Sequence, residues 1–402
     1  MPLNLKQYNQ FLEQVAADLD ISPSKYQQAV DRYKSVSKWL EDGDYPDLSG
    51  ELKIYVQGSF RLGTVVRPLI EGKDADYDID LVCELPTSKP ETTPETIKSL
   101  IGDRLKENAT YTRLLDKEGR RCWTLNYAEQ DNIGFHLDIL PAIPDENYRS
   151  DTNIAITHMG DGDYSWSSSN PYGYALWFKE RNKQAFLLAE TRQKQAIFSR
   201  STAIYASVDE VPSQLIRTPL QQAIQLMKRH RDQRFNGHAL DDKRPISMII
   251  TTLAAYLYQN EGNVAAALQG IVEKLHAHNS LLYNRILADQ SLASMNIIQK
   301  RSDGTWYIGN PVNPDENFAD RWHEDNDARA KSFFMWVEWL KEDLVEILTS
   351  QNVQASRKSL SSSFGDNITG KNFHLLAAQV APAIITPRQV SIDSAPKPWR
   401  NQ

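Results

Sequence analysis

The chain has 402 residues, 41% hydrophobic, 24% charged and 9% aromatic, the usage of a folded globular protein and not of a disordered one. Its 45 Lys and Arg against 52 Asp and Glu leave a net charge of -7, too acidic for a protein that lives wrapped on a phosphate backbone. Two cysteines, Cys83 and Cys122, are too few for a disulfide scaffold or a cysteine-rich zinc ribbon, with one internal bridge left open.

No stretch approaches the ~20 apolar residues of a membrane span, and the first residues lack the apolar core of a signal peptide. The expected compartment is cytoplasmic. At this length two packed lobes are expected in place of one oversized core.

Leu5, Tyr8, Leu12, Val15 and Leu19 recur at three and four residues, which predicts an amphipathic helix ending before Ser22-Pro23. Ser22 then caps, and Pro23 opens, a second helix with Tyr26, Val30, Tyr33, Val36 and Leu40 on one stripe. The period then changes. Short strands are predicted at 54–56, 79–82, 121–127 and 135–140, forming a small mixed sheet. From about Leu176 the pattern is helical, over 179–196, 219–234, 246–259, 264–276 and 332–348. Between the last two lies a turn-rich loop, 308–314, whose two Asn-Pro pairs oppose helix. The serines at 360–363 and the prolines of the C-terminus read as a partly ordered arm. The expected division is 1–200 for the sheet with its leading helices, 201–350 for a helical lobe closing a cleft, and 351–402 for the arm.

Three segments carry chemistry. In the first, Tyr55-Val56-Gln57-Gly58-Ser59-Phe60-Arg61, a strand runs into a Gly-Ser turn, where glycine lets the backbone approach a phosphate closely. Nineteen residues beyond Ser59 comes Asp78, set in Tyr77-Asp78-Ile79-Asp80-Leu81-Val82. Alternation on a strand puts Asp78 and Asp80 on one face. Two carboxylates held together repel unless a divalent cation neutralises them, and Mg2+ takes carboxylate and phosphate oxygens. Asp74 and Asp76 share the alternation but follow Gly72-Lys73 and read as solvated loop residues; only Asp78 and Asp80 sit within the apolar run. In the third segment Asp138 stands alone in Phe135-His136-Leu137-Asp138-Ile139-Leu140, where a buried carboxylate needs a salt bridge or a metal.

Gly-Ser, Asp-x-Asp on a strand and a third Asp on a later strand together resemble the polymerase-beta type nucleotidyltransferase superfamily. More narrowly, the chain resembles the bacterial cyclic oligonucleotide synthases (CD-NTases) related to cyclic GMP-AMP synthase and oligoadenylate synthase, which serve anti-phage (CBASS) signalling operons. The resemblance runs from the leading helices through QGSFRLGT, DYDIDLV and FHLDILPA to PLQQAIQLMKRHRD and RPISMIITTLAAY. It implies an α+β fold, a mixed-sheet palm flanked by helices plus a C-terminal helical lobe. It implies two Mg2+ ions, replaceable by Mn2+, on Asp78, Asp80 and Asp138, with Asp138 nearest to a general base. Gly58 and Ser59 would grip the beta and gamma phosphates, and Lys228 and Ser247, also nineteen residues apart, would contact the triphosphate.

The implied activity joins ATP, and other nucleoside triphosphates, into a cyclic di- or trinucleotide with release of pyrophosphate. The implied partners are an effector reached through the diffusible product and a regulatory protein at the C-terminal arm. No membrane and no obligatory nucleic acid are expected: no apolar span is present, and two cysteines without a nearby cluster do not build the zinc insertion of the animal DNA sensor. A template-independent transferase acting on RNA or protein shares the triad, and a silent nucleotide-binding module is the non-enzymatic alternative. Arg61 and Arg67 are further candidates for phosphate charge. Tyr164, Trp166, Tyr172 and Tyr174 are candidates for stacking on a base. His276 and His278 read as structural or exposed, and the aromatic residues at 306–339 as packing.

Overall fold

The computed structural model describes residues 4–377 apart from 46–47, 68, 71–72, 131–132, 147–149, 161, 286 and 351. Two helices lead, α1 (Leu5–Leu19) and α2 (Pro23–Glu41), and Ser22 Oγ caps the second by accepting from Lys25 N as its sequence predicts. After β1 (Lys53–Gln57) come the five-residue α3 (Gly58–Leu62), a two-stranded ribbon of β2 (Leu69–Ile70) and β3 (Lys73–Asp74), and β4 (Tyr77–Glu84). Helices α4 (Pro94–Lys106) and α5 (Ala109–Leu114) precede β5 (Trp123–Gln130), β6 (Ile133–Pro144), β7 (Ile154–Gly160) and β8 (Asp163–Ser169).

The six-stranded sheet has the order β1-β4-β6-β7-β8, with β5 also paired to β6. Strands β4 and β6 run parallel and the other pairs antiparallel, so the sheet is mixed. Sequence periodicity finds β1, β4, β5 and β6 but not β7 and β8. Strand β8, Asp-Tyr-Ser-Trp-Ser-Ser-Ser, alternates only over Tyr164 and Trp166 before three serines; its conformation comes from pairing along its whole length with β7.

The helical half starts with the thirty-residue α6 (Pro171–Arg200), which begins earlier than periodicity predicts because Pro171 follows the Asn170 cap. It continues with α7 (Pro219–Phe235), α8 (Ser247–Leu257), α9 (Val264–Ala277), α10 (Gln290–Met295), α11 (Ala328–Leu340), α12 (Val353–Phe364), α13 (Asp366–Asn372) and α14 (His374–Ala377). The helix expected over 332–348 loses its regular winding after Leu340; residues Lys341–Val345 widen by a turn, which turns Asp343 inward. A small ribbon, β9 (Gln299–Lys300) with β10 (Trp306–Tyr307), precedes the expected loop, and the loop itself, 308–314, forms much of a second, β11 (Gly309–Asn310) with β12 (Asn313–Asn317). The second ribbon docks on the sheet edge, where Asn313 donates to Ser168 Oγ and Ser169 Oγ to Glu316.

One core lies under the sheet and joins α2 and α4 to Ile79, Leu81, Leu125, Phe135, Leu137 and Ile139. A second unites α7, α8, α9 and α11, and it also takes the buried face of α1: Tyr8, Phe11, Leu12, Val15 and Leu19. The chain's first helix therefore packs with its later half. Within that core Trp306, Trp322, Phe333, Phe334 and Trp336 are buried against one another, the packing role their sequence predicts. In the expected arm, α12 packs on α7, and Lys371 and Asn372 donate to Asp18. The proline-rich end, 378–402, lies outside the described residues. Both cysteines are free, so no internal bridge forms. Among the described residues no helix is long and apolar enough to cross a membrane.

Candidate active site

Alternation on β4 is visible in its burial: Tyr77, Ile79 and Leu81 are buried beneath the sheet, Asp78 is exposed and Asp80 half-buried on the other face. The parallel register of β4 and β6 pairs Asp80 with Asp138 and Asp78 with His136. Residues 58 apart in sequence thus share one face of neighbouring strands. Leu140, Ala142 and Val82 continue that face as an apolar floor, with Ile154 and Ile156 from β7.

Strand β1 places Gln57 opposite Asp80, and the chain then turns at Gly58, whose φ of +64° lies in the left-handed region. A β-carbon at Gly58 would sit 2.1 Å from Asp80 Oδ2. Glycine is therefore required twice, by backbone angle and by contact, and the start of α3, with half-buried Ser59, lies directly over the carboxylate.

The electrostatics follow from this crowding. Burial, then the charges of Asp138 and Asp78, push the Asp80 carboxyl up to about 7, against the opposing pull of Lys228. Asp138 is also raised, first by burial, although Thr124 Oγ1 donates to its Oδ1 at 2.6 Å. His136 Nδ1 stands 3.5 Å from Asp78 Oδ1 and its Nε2 3.6 Å from Asp76 Oδ2; the Asp78 contact raises its pKa. Carboxylates crowded on one face and partly withdrawn from water suit a divalent cation. Among the described residues no three acidic, histidine or cysteine side chains stand close enough together to hold a metal ion by themselves. The carboxylates fit a cation whose remaining ligands are substrate phosphates, the Mg2+ pattern.

Asp76 differs from the solvated loop residue its sequence predicts: Oδ1 accepts from Gly134 N at 2.7 Å and ties the start of β4 to β6. The run Lys228-Arg229-His230-Arg231-Asp232 is buried throughout. Lys228 Nζ donates to Thr64 O at 2.9 Å and to Thr64 Oγ1 at 3.2 Å, and burial first, then Arg231, pulls its pKa down to about 7. Ser247 opens α8, and its Oγ accepts from Arg231 Nη1 at 3.0 Å. The described contacts bring Asp78, Asp80, Asp138 and Gly58 together; Lys228 reaches the turn through Thr64, and Ser247 is held by Arg231. Arg231 also donates to Asp232 and Pro245 O.

Sequence reasoning passed over Arg231, Thr124 and His136, although all three lie within or next to segments it singled out. Of the stacking candidates, Tyr174 is buried on Thr252, Tyr164 donates to Glu118, and Trp166 packs against the sheet core. Tyr172 is exposed, with the Arg61 guanidinium 4.6 Å from its ring and Tyr55 edge-on. Arg61 also donates to Val56 O, and Arg67 to Ala75 O. His278 is buried on Lys274 O, and His276 pairs with Glu338.

Residues 5–182 match the model of the Second Messenger Oligonucleotide or Dinucleotide Synthetase domain. A c-di-GMP synthase of Roseivirga ehrenbergii is 29% identical over 360 residues, spanning 89% of this chain and 84% of the relative. The cyclic dinucleotide synthase CdnG of Bradyrhizobium diazoefficiens is 27% identical over 326 residues, 78% of this chain and 70% of the relative. The solved structure of Bradyrhizobium CdnG in complex with GTP aligns with a TM-score of 0.68 at 22% identity, covering 91% of this chain and 98% of that one. Escherichia coli CdnC, solved with a HORMA partner, aligns at 0.58 with 17% identity, covering 89% and 97%. The likeness bears out the expected α+β architecture, a polymerase-beta-like palm with a helical lobe.

Proposed function

We propose that the chain is one of the bacterial CD-NTases, the nucleotidyltransferases that make cyclic oligonucleotide second messengers, a reading its likeness to the synthetase domain and to two cyclic dinucleotide synthases supports, and that Asp78, Asp80 and Asp138 are its catalytic and metal-binding carboxylates. The observation that carries this reading is the in-register pairing of Asp80 with Asp138 across parallel strands, with Asp78 on the same face and Gly58 packed on Asp80. Mg2+, or Mn2+ in its place, supplies there the positive charge that neutralises a triphosphate and acidifies an attacking ribose hydroxyl.

The chain's own residues do the rest. Gly58 and Ser59 present the main chain to the beta and gamma phosphates. Asp138, held by Thr124, is nearest in character to a base for the attacking hydroxyl. Ser247 closes the phosphate side from α8, and Lys228 from α7 through Thr64. Exposed Tyr172, backed by Arg61, offers a face for a nucleobase.

The relatives move the first substrate to test from ATP to GTP, since one is a c-di-GMP synthase and another was solved with GTP. The product of this reading is a guanine-containing cyclic dinucleotide acting in the cytoplasm on a downstream effector of anti-phage defence. A regulatory protein at the C-terminal arm and lobe boundaries near 200 and 350 belong to the same reading. The test incubates purified protein with GTP, ATP or both and Mg2+, beside Asp78→Ala/Asp80→Ala, followed by phosphatase and mass spectrometry. A phosphatase-resistant cyclic product absent from the variant is expected. Nucleosides alone from both proteins would refute the reading under these conditions.

A further inference from the structure

Helix α3 has five residues; Ser59 O and Phe60 O accept from Thr64 N and Gly63 N, while Leu62 O and the carbonyls that follow lie beyond its own ladder. Those are met from the other half of the molecule. Gln221, Gln225 and Lys228 lie four and three residues apart on α7 and so share a stripe. Each donates to a main-chain carbonyl of the segment leaving α3: Gln221 Nε2 to Leu62 O at 2.8 Å, Gln225 Nε2 to Val65 O at 2.9 Å, and Lys228 Nζ to Thr64 O at 2.9 Å. Thr64, Gln225 and Lys228 are buried, so no bulk water competes for these carbonyls.

The stripe is itself braced. Gln221 Oε1 accepts from Thr218 N within the capping box of α7. Gln225 Nε2 also donates to Asp20 Oδ1, which Arg217 Nη2 holds at 2.8 Å. Gly63, in the middle of the seam, has a φ of +63°, and a β-carbon there would lie 2.6 Å from Gln221 Nε2. The approach is thus as close as a residue without a side chain permits.

From this geometry we infer that Gln221, Gln225 and Lys228 are positioning residues: they grip the segment leaving α3 and thereby set the Gly58-Ser59 turn against Asp80, with Lys228 acting on it through Thr64. The five helical residues are short and stiff, roughly 7 Å at 1.5 Å per residue, so holding one end fixes the other. The inference rests on the nucleotidyltransferase reading for its consequence, though not for the existence of the seam.

Hydrogen exchange on the nucleotide-free protein reads the seam without turnover. Gln225→Met and Thr64→Val are expected to speed exchange over residues 59–66 by about tenfold or more while α9 keeps its protection. Unchanged exchange in both variants overturns the inference. Turnover of GTP with Mg2+ then reads the consequence of the seam at the site. Gln225→Met is expected to raise KM about tenfold with kcat nearly unchanged. If Gln225→Met keeps the parent KM, the positioning role is overturned. A parent protein that turns over no nucleotide counts against the synthase reading alone, and the exchange result still decides the seam.

Discussion

Replacing Gly58 with alanine tests the contact on which the site depends. The added methyl carbon would lie 2.1 Å from Asp80 Oδ2 and 3.0 Å from Asp80 Cγ, well inside van der Waals contact. The backbone angle of +64° adds a second cost, about 1–2 kcal/mol for a residue with a β-carbon. Overpacking adds about 1–3 kcal/mol where the neighbour cannot move. The sum is roughly 2–5 kcal/mol, and the cheapest relief is rotation of the Asp80 carboxylate away from Asp138.

Relief therefore transfers the damage from folding to catalysis. About 2.7 kcal/mol of lost transition-state stabilisation is a hundredfold in rate. Gly58→Ala is expected to lose at least about that in kcat while its thermal midpoint falls by only a few degrees. The assay measures pyrophosphate release from GTP at saturating Mg2+ beside thermal unfolding. Gly63→Ala, at a φ of +63° but facing Gln221 instead of Asp80, shares the backbone cost without the carboxylate clash. It is expected to keep more kcat than Gly58→Ala at similar loss of stability. Parent-like kcat in Gly58→Ala would refute the placement of the turn over Asp80.

The protonation of Asp80 predicts a pH dependence. Its folded pKa, about 7, lies above the unfolded value of about 3.9. The stability it contributes to the cation-free protein is complete below the unfolded value and is lost as pH rises through about 7. The thermal shift caused by Mg2+ should accordingly grow from pH 5.5 to pH 8 and shrink in Asp80→Asn; a shift independent of pH would refute the coupling. Thr124→Val removes the donor on Asp138 Oδ1 and should lower kcat about tenfold with little change in KM, read by steady-state kinetics. Tyr172→Ala should raise KM for the nucleotide about tenfold, from roughly 1–3 kcal/mol of stacking, with Tyr172→Phe near the parent. Equal loss in both Tyr172 variants would place the effect in the hydroxyl.

Much of the fold was legible because its signals are local. The Ser22-Pro23 cap, the apolar stripe of α1 and the alternation around Asp78 and Asp80 each depend on residues within one turn or one strand. Three segments that looked ordinary alone became specific together, and all four of the residues at their centre, Gly58, Asp78, Asp80 and Asp138, meet at one place. Strand β8 escaped because its serines carry no period. Asp76 was misread because its partner, Gly134, is 58 residues away.

The charged run after Met227 shows where a sequence stops. Charges at helical spacing usually face water, and only the packing of α7 among α1, α9 and α12 encloses these five residues and turns them into a buried network. The chain by itself determined which side chains alternate, which turn needs glycine and where carboxylates fall on strands, because φ/ψ preference and side-chain period act over a few residues. Only the tertiary structure decided that Asp138 lies beside Asp80, that Lys228 reaches Thr64 and that Arg231 holds Ser247. Those pairings depend on strand order and lobe packing, which the summed burial of two cores selects and no local period records.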